Sequence, residues 1–173
     1  MELVRIGLRL GLLASVTGLL AGGCATSSAV PSPFPGAIPP VSVPAVGGGR
    51  SRPGVIVQNA LRLLGTPYRD GGSDPSGFDC SGFTQYVFGL SRLPLPREVR
   101  EQFQTGRKLA LGRSAPGDLI FFSTIAPGAS HVGVVLDDHT FVHAPSNSGV
   151  VRVESYRTPY WNRRIVGVRR VKE

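Results

Sequence analysis

Apolar and polar positions along this chain follow two different periods, and the change comes near Gly117. Upstream of it, apolar residues recur every three to four positions. In VIVQNALRLLG, Val55, Ile56, Asn59, Leu63 and Leu64 fall at helical spacing, and Gly65 supplies a C-terminal stop. In CSGFTQYVFGL, Phe83, Val87 and Leu90 repeat the pattern, with Asp79 placed ahead of them as a cap. The stretch between these two, TPYRDGGSDPSGF, reads as loop, and a short helix is expected over 97–104. Downstream the period is two. DLIFF, HVGVVL, TFVHA, VVRVES and RIVGVRRV each read as strands separated by turn residues. Helices followed by consecutive strands predict an α+β fold, with an antiparallel sheet packed against the helices.

One hairpin follows from the alternation. If Asp137, Asp138 and His139 form a three-residue loop, Leu136 pairs with Thr140. Val132, Val134 and Leu136 then share one face with Val142 and Ala144. His131, Gly133 and Val135 share the other with Phe141 and His143, because side chains alternate strictly along a strand. The expectation is that Gly133 leaves room there for a substrate or for the helix that starts at Cys80.

The N-terminal third has neither period. Residues 1–23 carry Arg5 and Arg9, an apolar run from Leu10 to Ala21 and small residues before Cys24, the layout of an export signal. The apolar run is shorter than the ~20 residues of a bilayer span. Ala-Gly-Gly-Cys resembles the lipobox of bacterial lipoproteins, with Ala21 where an aliphatic residue is usual. On that reading Cys24 is lipidated and anchors the chain to a membrane. Ala25 in place of an aspartate resembles an outer-membrane address. Residues 24–53 are rich in Pro, Ser and Gly and read as a tether. The folded domain is expected over 54–173.

Charge narrows the partners. The chain has a formal net charge of +8, and residues 1–23 contain Glu2 besides two arginines, so their removal lowers it by only one. A basic exported protein is drawn to anionic polymers such as cell-wall glycan. No nucleic-acid motif is present, and no nucleic-acid partner is expected. Of two cysteines, modification of Cys24 leaves Cys80 without a disulfide partner, so Cys80 is either reactive or hidden. At a helix start, amides and dipole favour a thiolate. A small buried residue could occupy the same place. Two histidines on one hairpin face favour the chemical reading: His131 would take the thiol proton, and His143 would orient His131.

GTPYRDGGSDPSGFDCSGFTQYVF, LPREVREQ, PGDLIFF, HVGVVL and FVHAP, in this order, resemble the NlpC-type family of papain-like cysteine peptidases. The resemblance implies a circularly permuted papain-like fold with Cys80 as nucleophile, His131 as base and His143 as the third, polar residue. It implies that the Tyr68 hydroxyl lies near the oxyanion site, with the Cys80 amide as a second donor. Asp79, Ser81 and Arg97 match positions near the cleft, for substrate contact or scaffolding. Glu98 stands where the family often has a small hydroxyl residue.

The expected function is a peptidoglycan endopeptidase, with stem peptides or their crosslinks as substrate, no cofactor, and a monomeric chain at the bacterial envelope. The resemblance narrows the bond to one next to the diamino acid. Three alternatives stay open: an amidase or acyltransferase with the same triad, a zinc site built from Cys80, His131 and His143, and a catalytically silent wall-binding lipoprotein.

Overall fold

The computed structural model describes residues 52–146 and 149–172. The signal, lipidation and tether expected over 1–51, Cys24 among them, lie outside the described residues. Helix α1 (Arg52–Leu61) begins three residues ahead of the expected start at Val55, with Pro53 in its first turn, where a missing amide costs no hydrogen bond. It ends before Leu63 and Leu64, and the chain turns through Gly65 at φ +84°.

The supposed loop that follows contains a two-residue hairpin, β1 (Ser73–Asp74) and β2 (Gly77–Phe78). Period alone could not reveal strands this short. Helix α2 (Cys80–Gly89) follows, then α3 (Val99–Gln102), shorter than expected. The main sheet comprises β3 (Arg107–Leu109), β4 (Leu119–Phe122), β5 (His131–Val135), β6 (Thr140–His143), β7 (Arg152–Ser155) and β8 (Ile165–Arg170). Its order is β3-β8-β4-β5-β6-β7, antiparallel throughout. Helix α4 (Pro159–Asn162) connects β7 to β8.

The expected hairpin is present: Val134 pairs with Val142, Val135 with Phe141, and the Leu136 amide donates to the Thr140 carbonyl at 2.9 Å. Its two faces go to two cores. Val132, Val134, Val142 and Ala144 join Ile56, Val57, Ala60, Phe83 and Val87 beneath α1 and α2. Val135 and Phe141 join Ile120, Phe122, Val168, Tyr156 and Trp161 on the opposite side. The sheet is therefore covered on both faces, and the histidines belong to the second.

Candidate active site

Helix α2 begins at Cys80 because Asp79 stops it from beginning earlier. Asp79 is extended (φ −88°, ψ 177°), and its carboxylate accepts the Gly82 amide at 2.7 Å, which satisfies one of the orphan donors of the first turn. Arg97 clamps this cap from outside. Its guanidinium is ion-paired to Asp79 and donates to the Ser81 hydroxyl at 2.7 Å. Asp79, Ser81 and Arg97 are thus bonded to one another, the arrangement of a scaffold for the cysteine turn. Gln102 ties α3 to the same turn by donating to the carbonyls of Ser81 (3.0 Å) and Pro96 (2.9 Å).

Gly82 admits a close approach, and what approaches is the chain itself. A Cβ there would lie 2.0 Å from the Gly72 carbonyl oxygen, which also accepts the Asp79 amide at 3.0 Å. The β1–β2 hairpin is docked onto the cysteine turn through that carbonyl.

His131 opens β5 with its side chain 2 % exposed, and His143, on β6, is fully buried. His131 Nε2 and His143 Nδ1 are 2.7 Å apart, with the rings nearly perpendicular (87°). Trp161 stacks on His131 at 5.6 Å and meets His143 edge-on at 5.2 Å. The alternation predicted this shared face. It misassigned Gly133: a Cβ there would stand 2.6 Å from the Phe141 ring and 3.1 Å from His143 Cβ. The glycine therefore accommodates Phe141 and His143, whereas α2 covers the other face of the sheet and meets β5 near its first residues. There the Val132 amide, one residue beyond His131, points at the Cys80 sulfur.

The electrostatics overturn one expectation. Burial, and next the Asp79 carboxylate, push the Cys80 thiol up to about 12, although the amides of Val132, Ser81 and Cys80 draw it down. The helix start contributes as expected, but desolvation of the anion outweighs it. His131 is held well below the ordinary imidazole value by burial, then by His143 and Arg152. His143 is lowered by burial, against an opposing pull from Glu154. Both directions favour the neutral thiol and neutral imidazole over the ionised pair. Tyr68 is half-buried, and its phenol is pushed up to about 12, first by burial, then by Cys80 and by Asp70, which accepts its hydrogen bond. It keeps its proton, which in this structure is given to Asp70.

Glu154 was not singled out from the sequence. It is 1 % exposed, and its Oε1 lies 3.4 Å from His143 Nε2. VVRVES reads as an ordinary strand, and its alternation puts Arg152 and Glu154 on one face. Trp161, on a helix too short for period to reveal, covers that face.

The two ring nitrogens of the histidine pair are turned onto each other, so they do not converge with Cys80 on one metal position. Among the described residues, ligating groups gather closely only at Asp137, Asp138 and His139, on the largely exposed hairpin turn.

The model of the NlpC/P60 family matches residues 65–170. The chain is 41% identical over 118 residues to gamma-DL-glutamyl hydrolase of Bacillus subtilis, covering 66% of this chain and 28% of that protein. It is 37% identical over 122 residues to murein DD-endopeptidase MepH of Escherichia coli, covering 68% and 45%. A crystal structure of a lipoprotein-like NLP/P60 family protein from Staphylococcus aureus superposes with a TM-score of 0.65 at 29% identity, covering 73% of this chain and 43% of that one. The chain spans less than half the length of each of these three proteins.

Proposed function

The chain belongs to the NlpC/P60 family, and from that premise we propose that it is a cell-wall thiol peptidase cleaving amide bonds of peptidoglycan stem peptides or their crosslinks. Its α+β architecture is the papain-like fold of that family. The observation that carries the activity is the His131–His143 pair, linked at 2.7 Å, at the strand end where the Val132 amide meets the Cys80 sulfur.

The chemistry runs as follows. Cys80 Sγ attacks the scissile carbonyl carbon while His131 takes the thiol proton, and His143 holds the His131 ring and supports its charged form. The oxyanion receives a hydrogen bond from the Cys80 amide and, once the Tyr68 hydroxyl turns from Asp70, a second from that hydroxyl. Collapse breaks the C–N bond, His131 returns the proton to the departing amine, and an acyl thioester remains on Cys80. Water, deprotonated by His131, releases the acid and restores the thiol. Asp79, Ser81 and Arg97 hold the cysteine turn, and the partly open side of Arg97 faces a peptide at its rim.

The bond is one next to the diamino acid. The kinship to a protein named for γ-glutamyl hydrolysis and to one named a murein DD-endopeptidase supports cleavage of a peptide amide bond of the wall. We further propose export and lipidation at Cys24, which keeps a basic enzyme close to its anionic substrate. Incubation with purified muropeptides, followed by mass spectrometry, tests these proposals together. New free amines, lost in Cys80→Ala, support the peptidase and identify the bond. Acyl transfer without new amines, or full activity in Cys80→Ala, refutes it. Membrane fractionation unchanged in Cys24→Ala refutes the anchor.

A further inference from the structure

We propose that Glu154 is a positioning residue of this site, a buried carboxylate that sets which nitrogen of His131 is basic. The inference rests on the peptidase reading for its kinetic consequence and on geometry alone for its structural one.

Glu154 sits on β7 opposite Phe141, within the apolar cluster of Phe141, Tyr156 and Trp161. A carboxylate in such surroundings is expensive unless it is paired and hydrogen-bonded. Both of its oxygens are engaged: Oε2 accepts from Trp161 Nε1 at 2.5 Å, and Oε1 accepts from Arg152 Nε at 2.5 Å and faces His143 Nε2 at 3.4 Å. Burial pushes this carboxyl up, but His143, Trp161 and Arg152 together hold it below its usual value, so it is ionised at neutral pH.

An ionised carboxylate only accepts hydrogen bonds. The His143 nitrogen that faces it, Nε2, therefore carries the proton, and His143 Nδ1 is left with a lone pair. His131 Nε2, 2.7 Å from that lone pair, must then be the donor. A neutral imidazole has one N–H, so the lone pair of His131 falls on Nδ1, the nitrogen not occupied by His143 and the one left to receive the Cys80 proton. Polarity thus passes from a fixed carboxylate through two rings to the base. The rings cannot easily turn out of this order, because Phe141 lies 4.6 Å from His143 and Phe122 lies 6.2 Å from His131, with Trp161 against both.

The charged groups that act on the histidine pair are Arg152 and Glu154 from β7, and Tyr160 from α4 acts on Glu154; Phe122 and Phe141 from β4 and β6 are apolar. Arg152 disfavours imidazolium, and Glu154 offsets it. Glu154→Gln keeps the shape, removes the charge and turns an N–H₂ toward a donor, either Trp161 or the Arg152–His143 side.

Imidazole ¹⁵N correlation spectra of the full-length chain and kcat and KM on muropeptides across pH test the proposal together. In the wild type, both histidines should be protonated on Nε2 at neutral pH. In Glu154→Gln, His143 should lose its single tautomer. Its kcat should fall about tenfold to a hundredfold, as when the carboxylate behind a metal-bound histidine is removed, with KM within about twofold. The acid limb of kcat/KM should move to lower pH, because Arg152 is left uncompensated. Glu154→Asp, which restores the charge, should recover part of kcat and the tautomer. Wild-type His143 protonated on Nδ1 overturns the proposal. So does Glu154→Gln with tautomer and acid limb unchanged, whether or not kcat falls. A wild type that cleaves no muropeptide refutes the peptidase reading instead, and the spectra still decide the role of Glu154.

Discussion

Cys80 carries opposing influences within one residue. Its place at a helix start favours the thiolate, while burial and Asp79 favour the thiol and prevail. That balance favours a thiol that gives up its proton to His131 at the moment of attack over a stored ion. Alkylation of Cys80 by iodoacetamide should rise steadily with pH from about 5 to beyond 9, where the unperturbed thiol titrates. A reactive plateau between about pH 5 and 8 would mean a resting thiolate–imidazolium pair. The same reasoning ranks the histidines: His131→Ala should reduce kcat more than His143→Ala, since loss of the base removes the proton acceptor and loss of the orienter only misaligns it. Equal losses would merge the two roles. Cys80, His131 and His143 could be read from the chain because alternation and an unpaired cysteine are local signals. Glu154 could not, because a charge on a short strand reads as solvated until something is seen to cover it.

At the scale of elements, the site depends on how α2 meets its neighbours. Gly82 and Gly89 lie on the same helix but in opposite surroundings. A Cβ on Gly82 would strike the Gly72 carbonyl, whereas nothing lies within 4 Å of one on Gly89. Gly82→Ala should destabilise the fold by ~1–3 kcal/mol through overpacking and displace the β1–β2 hairpin from the cysteine turn. Gly89→Ala should be neutral or stabilising by up to about 1 kcal/mol, from helix propensity. Chemical denaturation of the two variants checks this, and equal midpoints would show that the hairpin is not docked through Gly82. The long-period elements, α1, α2 and the strands β4 to β8, were legible because each repeats its pattern over several residues. The β1–β2 hairpin, β3 and α4 were not: two or three residues of strand, or a single turn of helix, give too few repeats to establish a period.

For the whole molecule, the covered second face of the sheet has a thermodynamic consequence. His131 and His143 titrate lower in the folded chain than the ordinary value near 6.5. Below that value the unfolded chain binds more protons than the folded one, so stability falls as the solution is acidified. Their contribution is fully present above pH ~6.5 and is lost as pH falls toward the depressed folded values, by up to about 1.4 kcal/mol per pH unit for each histidine. The carboxyls held low by their partners, Asp137 and Glu154, weaken the fold only at more acidic pH. The melting temperature should therefore drop between pH ~6.5 and ~5, and less steeply in His143→Phe than in the wild type. A flat profile over that interval would contradict the buried neutral pair.

What the sequence determined by itself was local: two periods, a cap before Cys80, and the register of one hairpin. Alternation leaves no choice of face once the turn is set, so His131 and His143 came together on paper as they do in the fold. Only the tertiary structure decided where β8 inserts between β3 and β4, that Trp161 covers the histidine face, and that Glu154 stands behind His143. It also decided the burial that pushes the Cys80 thiol up. Desolvation and long-range pairing depend on what lies above a residue in space, and no spacing along the chain encodes that cover.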